Sequence, residues 1–591
     1  MSTTQEACGL VGQDELIIIT ERVDDVALLV GQMIKMGLHE IVDRSIPNHW
    51  KQRGLSWGWT TVIWLAYILS EGDHRKVSMQ AYVQGMQHSL SRLTGQEVEP
   101  LDFSDDRLAH LLGYLSKREF WTKIEQALTQ RSVEVYELPQ AVVRCDATTV
   151  SGYHEVEDGG LVQYGHSKDD PNLAQIKVMT GSLDPLGMPL VVDVVSGEQA
   201  DDGLYIPVIE RIEAGLSKSG LLFVGDCKMS AFETRLHLVG SHHHYLSPLP
   251  LTGATAEEMG GWITEALIRD QTGRLELVFR NNAKDEAVLI GGGYEFERLQ
   301  RGQFGDQSVQ WSERVLVVKS IQHAEQQSRG LEKRLETAQQ QIEALTPPRA
   351  RGRRQITEEA VLLEAIDKIL EKQRVKGLLE VAYEKQVQQQ TQYVGRGRGS
   401  DQRAQRLIER VRYQITAVVR NQTAIDKAKE GFGWKAFVTS VSKAQLSLSE
   451  AVGCYRKEYR VERIFNRLKS RLNIAPLFVR REDQITGMTH LLSLGVRVLS
   501  LLEFVVRRSL QQDQATLAEL HPENCQKTTT QPTAERLLKA FSKISLTMIQ
   551  NSTAELVRHI TPLSAVQKQI LHRLGLECSL YQQLEIPNSG I

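Results

Sequence analysis

Between Gln140 and Pro250 the chain changes from apolar residues at helical spacing to short runs rich in Val, Ile, Leu and Phe. The order of those runs constrains the fold more than any other feature. AVVRCDATTV, QIKVMTGSLD and MPLVVDVVSG read as strands, the last two joined through the turn PLG as a hairpin. An amphipathic helix over 204–216, the apolar strand GLLFVGD, a helix over 230–239 and the strand HHYLSPLP follow. The order βββαβαβ predicts a mixed sheet covered by helices, with short links pairing strands antiparallel and helical crossovers returning them parallel.

Around this block the pattern predicts five regions. Residues 1–138 read as an all-helical N-terminal domain, as in DDRLAHLLGYLSKREFWTKI, where Ser104 or Asp105 would cap the start. Residues 139–250 hold the strands above. Residues 251–430 read as an insertion domain: β-rich runs LELVFR, AVLIGGGYEFERL and RVLVVKS, then long Gln- and Glu-rich helices from 321 to 429. Within it RARGRR (349–354) and GRGRGSDQR (395–403) are basic, Gly-rich loops, to be read as solvated linkers or as phosphate contacts. Residues 431–515 resume with the strand GWKAFVTS, and 516–591 read as a C-terminal helical region behind the linker QKTTTQPT.

The 591 residues are 41% hydrophobic and 24% charged, enough to bury a sizeable core, and the net charge of -3 means that a polyanionic partner would have to meet locally basic surfaces. Six cysteines without a CxxC pair, and no signal-like segment at the start, predict a reduced, intracellular protein. WTTVIWLAYIL and LLSLGVRVLSLLEFVV are short or interrupted by charge, and read as buried helices rather than membrane spans.

Asp146 lies mid-strand in VVRCDATTV, where a carboxylate is costly to bury unless it is hydrogen-bonded, paired or metal-bound. Asp226 ends LLFVGD, at the C-terminal end of a strand, where α/β sheets place ligands. If the first and fourth strands are neighbours, the two carboxylates repel unless a cation lies between them, and Mg²⁺ or Mn²⁺ suits such oxygen donors. A third acid is available in YRKEYRVERIFNRLK (455–469). At about 100° per residue, Tyr455, Glu458 and Lys469 share a face with Glu462. Val461, Ile464, Phe465 and Leu468 form an apolar stripe, and Arg456, Arg460, Arg463 and Arg467 form a basic one. Between Tyr455 and Arg481 stand nine Lys or Arg against two Glu, a patch that suits a phosphodiester backbone; a solvated helix with i, i+4 ion pairs is the other reading.

Taken together, the strand order is that of a ribonuclease H-like domain, and the chain resembles the DDE transposases of bacterial insertion sequences. The likeness spans roughly 140–510: Asp146 in a DxT strand, Asp226 after an apolar strand, a long insertion, and Tyr455, Glu462 and Lys469 at the Tyr, Glu and Lys of the Y-x2-R-x3-E-x6-K signature. KAFVTS before that helix and LNIAPLFVRREDQITG after it also match. Glu458 replaces the signature arginine, with Arg456 and Arg460 nearby as substitutes, and Lys228 stands where the family often has glycine. The resemblance implies cleavage and strand transfer at DNA ends by two Mg²⁺ or Mn²⁺ ions held by Asp146, Asp226 and Glu462, in-line and without a covalent protein intermediate. It also implies double-stranded DNA partners (terminal inverted repeats and target), at least a homodimer on DNA, and a place in the bacterial cytoplasm at the nucleoid. A metal-dependent nuclease and a catalytically silent DNA-binding descendant are the competing readings.

Other candidates read less sharply. Consecutive His242, His243 and His244 would point to alternate faces of a strand and cannot all bind one ion. His166, with Lys168, lies between the first two strands and reads as a DNA contact or as loop structure. GRGRG lacks the strand and helix flanks of a nucleotide-binding loop. IPNHWKQRGLSWGWTTVIWLAYIL reads as a helix-turn-helix for DNA ends or as an assembly element.

Overall fold

The computed structural model describes residues 16–47, 54–167, 170–281, 286–350, 355–395, 404–521, 523–524, 526–550 and 555–585. In chain order, β1 (Ile17–Arg22) precedes α1 (Val26–Lys35), α2 (Leu38–Ser45), α3 (Trp57–Glu71), α4 (Met79–Gln84), α5 (Gln87–Thr94), α6 (Asp105–Leu115) and α7 (Arg118–Tyr136). The central run is β2 (Val142–Gly152), β3 (Ala174–Leu183), β4 (Met188–Ser196), α8 (Tyr205–Leu216), β5 (Leu222–Gly225), α9 (Phe232–Gly240) and β6 (His244–Pro248). Next come α10 (Gly253–Gln271), β7 (Glu276–Asn281), β8 (Ala287–Phe304), β9 (Gln307–Ser320), α11 (Ile321–Glu343), α12 (Glu359–Lys372), β10 (Leu379–Tyr393), β11 (Gln405–Arg420), α13 (Gln422–Glu430), β12 (Trp434–Thr439) and α14 (Leu448–Tyr455). The remainder is α15 (Tyr459–Asn466), α16 (Glu482–Gln512), α17 (Ala534–Lys539), β13 (Ser545–Gln550), β14 (Glu555–Ile560), α18 (Ala565–Leu574) and α19 (Ser579–Gln582). The fold is mixed α+β, with a large mixed sheet and many helices.

The described residues divide into two units, Met1–Ser247 with Arg301–Trp311 and Tyr455–Ile591, and Pro248–Gln300 with Ser312–Cys454. The βββαβαβ run lies in the first unit, with strand order β4-β3-β2-β5-β6. β2 pairs antiparallel with β3 and β3 with β4, whereas β5 runs parallel to β2 and β6 parallel to β5. Each β-rich run is short and bounded by turn residues, so local pattern alone sets the elements, and the helical crossovers set the parallel strands.

The N-terminal region is helical except at its start. IIITER forms β1 and pairs antiparallel with β13, and β13 pairs with β14, so neither the N-terminal nor the C-terminal region is all-helical as expected. The two strands complete each other from opposite ends of the chain, and neither flank shows the pairing. The segment read as a helix-turn-helix or as an assembly element runs from residue 46, after α2, into α3. Residues 48–53 lie outside the described residues, and α3 is buried on every side, including Trp57, Thr60, Thr61, Trp64, Leu65 and Ile68. A Cβ at Gly58 would sit 2.0 Å from the His39 carbonyl oxygen, so glycine there lets the start of α3 pack directly on α2. α16 is long and apolar enough to cross a membrane by composition, but its apolar window is 94% buried in protein.

In the second unit the strand order is β12-β9-β8-β7, with antiparallel pairs β12/β9 and β7/β8. GWKAFVTS forms β12 and pairs with β9 inside this unit. The expected helices over 321–429 are only partly present: α11 and α12 form, but β10 and β11 make a two-stranded antiparallel ribbon. Gln favours helix on its own, yet Val381, Tyr383, Val411, Tyr413 and Ile415 recur with a period of two and pack on Leu331, Leu335, Ile366 and Leu370 of the helices. Arg349, Ala350 and Gly395 are described, and the rest of the two basic loops lies outside the described residues.

Candidate active site

The parallel register of β2 and β5 matches Arg144 with Val224 and Cys145 with Gly225, so Asp146 on β2 and Asp226, just past the end of β5, each follow the last matched pair. A side chain at Gly225 would meet Met229 Sδ at 2.7 Å and the Cys145 carbonyl oxygen at 3.1 Å, so glycine there allows the close approach. β5 ends at Gly225, and Asp226 opens a turn in which its Oδ1 accepts from the Lys228 N–H (2.9 Å) and its carbonyl from the Met229 N–H (3.2 Å). Asp146 Oδ1 accepts from the Ala147 N–H at 2.7 Å. Burial and the charge of Asp146 push the neighbouring Cys145 thiol up to about 12, which keeps it unreactive.

Two phenols border the pair. The Tyr205 hydroxyl, at the start of α8, donates to Asp226 Oδ1 at 2.6 Å. Its burial first, then the charges of Asp226 and Asp146, raise its pKa well above that of an ordinary phenol, so it stays a donor. Tyr455 is raised in the same direction by burial, by its hydrogen bond to Glu458, and by Asp226. Glu458, which replaces the signature arginine, is thus the acceptor for Tyr455. Tyr205 escaped the sequence reading, where it was only one residue of an amphipathic covering helix.

The 455–469 stretch is not one regular helix: Tyr455 ends α14, a 3₁₀ turn spans Arg456–Glu458, and a π turn spans Arg467–Arg471 after α15. The apolar stripe holds as expected, with Val461, Ile464, Phe465 and Leu468 buried, and α15 packs on β2. Three residues of the basic stripe are paired with carboxylates, Arg467 buried and Arg460 and Arg463 half-buried. Arg460 pairs with Asp184, whose other oxygen receives Arg144 Nη2 at 3.1 Å. Arg463 and Arg467 both pair with Glu503 on α16, and Arg467 Nε also reaches Glu535 at 3.1 Å. Asp184, Glu503 and Arg467 are all buried, and buried charges of this kind persist only when paired. Asp184 therefore ties the strand of Asp146, two residues past Arg144, to the helix of Glu462, two residues past Arg460. Gly187, at φ 62° and with its Cβ position 3.0 Å from the Arg460 carbonyl oxygen, lets the β3–β4 turn approach that helix.

Glu462 is exposed on α15. The two aspartates are a hard-oxygen donor set that fits a divalent cation, and among the described residues no three His, Cys, Asp or Glu side chains gather closely enough to hold one. Arg456 and Lys469 are half-buried, Lys228 is exposed with Nζ 3.6 Å from Asp202, and His166 is exposed in the loop after β2. Lys168 lies outside the described residues. His243 is an internal residue: its Nδ1 accepts from the Leu221 N–H at 3.1 Å and its Nε2 lies 3.3 Å from Glu213. Burial holds this imidazole down at about 4 and Glu213 up at about 7.

No family model and no curated protein matches the chain. Among solved structures, the chain is similar to the piggyBac transposase synaptic complex with hairpin DNA, at 8% identity and a TM-score of 0.24, over 50% of this chain and 58% of that one. The chain thus spans less than two thirds of that chain's length. The functional reading rests on the aspartate pair and not on this likeness.

Proposed function

We propose that the chain is a DNA transposase of the DDE type on a ribonuclease H-like core, and that Asp146 and Asp226 are its metal-holding carboxylates. The supporting observation is their placement: Asp146 on β2 and Asp226 in the turn that leaves β5 each directly follow the matched pair Cys145 and Gly225 of two neighbouring parallel strands, in a sheet of order β4-β3-β2-β5-β6. A Mg²⁺ or Mn²⁺ ion bound there supplies Lewis-acid stabilisation of charge on the phosphoryl group and its leaving oxygen. The Tyr205 hydroxyl and the Lys228 N–H both donate to Asp226 Oδ1 and so orient the carboxylate through one oxygen, while the Met229 N–H holds the Asp226 carbonyl. Arg456, Lys469, Lys228 and His166 are the groups proposed to meet DNA, whereas Arg460, Arg463 and Arg467 serve the interior. Glu462 is proposed as the third acid.

The test is metal-dependent cleavage and joining of DNA carrying the inverted repeats that flank the gene, with wild type beside Asp146→Asn, Asp226→Asn and Glu462→Gln. Loss of both steps in the two aspartate variants with retained DNA binding is expected, and activity that survives both sinks the proposal. Cutting without joining points to a nuclease. Full activity in Glu462→Gln removes Glu462 from the site and leaves the aspartate pair.

A further inference from the structure

The β10–β11 ribbon carries a side-chain ladder that the site in the first unit does not use. Residues directly opposite in an antiparallel pair point to the same face. The register sets Gln386 against Arg412, Gln388 against Arg410, Gln390 against Ile408 and Gln392 against Arg406, all on one face. Glu409, with Gln389, lies on the other face. Apart from half-buried Gln386, Ile408 and Arg412, these ladder residues are exposed. Arg412 is held upright at the base of the ladder, its Nε donating to Gln386 Oε1 at 2.7 Å and its Nη1 to Gln355 Oε1 at 3.3 Å. Arg349 joins Gln386, Gln388, Arg412 and Gln414 around a cavity of about 590 Å³ on this side. Two acids share this face of β10 below the ladder: Glu384, engaged by the Gln386 amide, and Glu380, whose Oε1 accepts from the Asn421 amide at 2.9 Å.

We infer that this face is a binding surface for double-stranded DNA, with the ribbon lying in the major groove. A two-stranded ribbon fits that groove, and Gln and Arg are the side chains whose paired donors and acceptors match the edges of adenine and guanine. Arginine also supplies the positive charge that phosphates attract. An acidic protein would be drawn by the arginines alone and would have no use for four glutamines in a row along one face. The inference stands on the ribbon's own side chains in the second unit, and its test separates it from the aspartate pair.

The full chain is titrated by fluorescence anisotropy against a 30-base-pair duplex of random sequence, the same length of single strand, and polyglutamate, over a salt series. Arg406→Gln with Arg410→Gln is expected to weaken duplex binding about tenfold and to flatten the slope of log affinity against log salt by about 1.8, two phosphate contacts' worth. Gln388→Ala with Gln390→Ala keeps the charge and the slope, but is expected to lose the sequence enrichment that wild type produces from a randomised duplex pool. Unchanged duplex affinity in the arginine variant overturns the inference, as does binding to single strands or polyglutamate as tight as to duplex. Unchanged enrichment in the glutamine variant overturns the groove placement. Asp146→Asn retains duplex binding on this inference whether or not it abolishes cleavage, so the two readings fail separately.

Discussion

The first unit contains two concentrations of like charge that are handled in opposite ways. On the helix after Tyr455, Arg460, Arg463 and Arg467 are met by carboxylates from distant segments, Asp184, Glu503 and Glu535. Past the end of β5, beside Asp146 in the middle of β2, Asp226 is held by a phenol and by a backbone N–H, donors without a charge of their own. Charge cancelled by opposite charge in the interior is structural, because desolvation leaves it no other stable state. Charge fixed by neutral donors keeps its full sign and can still attract a cation. An arginine stripe and an aspartate pair that look equally functional in sequence thus part company in the fold.

The largest expected effect breaks the first half of this contrast. Glu503 accepts from Arg463, Arg467 and the Ala534 N–H and lies 2.7 Å from Arg507, so Glu503→Ala leaves the buried Arg467 and Ala534 N–H, and the half-buried Arg463 and Arg507, without this acceptor. Urea unfolding is expected to show a loss of about 3–5 kcal/mol. A loss under 1 kcal/mol would mean that the arginines do not depend on this carboxylate, and would return them to the list of DNA contacts.

Tyr205→Phe sharpens the second half. It removes the hydroxyl from Asp226 without changing the packing of the ring, and the expected result is a fall in metal affinity and cleavage rate of about 10–100-fold at unchanged stability. A variant that matches wild type at limiting Mg²⁺ would show that Asp226 needs no such orientation.

A smaller effect comes from a third way of handling a titratable group, which is to keep it neutral. His490 on α16 is stacked on Trp121, with ring centroids 4.1 Å apart, and burial pushes its pKa down to about 3 from the ordinary 6.5. Below about pH 6.5 the unfolded chain takes up a proton that the folded chain refuses until about pH 3, so this contribution is complete above pH 6.5 and is lost as pH falls. The expected slope is about 1.4 kcal/mol per pH unit in that window, and His490→Phe, which retains the stack, removes that share of it. Equal slopes for the two proteins between pH 6 and 4.5 would contradict the burial of a neutral imidazole.

Much of the central fold was legible because its information is local. Each strand from 142 to 248 is an apolar run closed by turn residues, and the pairing of β2 with β5, which carries Asp146 and leads into Asp226, follows once βββαβ sets the fourth strand beside the first. The buried stripe of Val461, Ile464, Phe465 and Leu468 was legible for the same reason, since helical periodicity is written in adjacent turns. The ribbon was misread because Gln's own preference for helix outweighed a weak alternation of Val and Tyr, and only packing on α11 and α12 decided between them.

By itself, the sequence determined which segments alternate, where carboxylates interrupt apolar strands, and which helical faces are apolar, since these depend on neighbours within a few residues. Tertiary structure alone decided the fate of the charges and of the chain ends. Asp184 and Glu503 reach their arginines across long stretches of chain, β1 finds β13 from the opposite terminus, and Tyr205 meets Asp226 only after α8 has folded back on the sheet. Whether a charged side chain is neutralised or left to act depends on the dielectric and the partners around it, and both are set by packing.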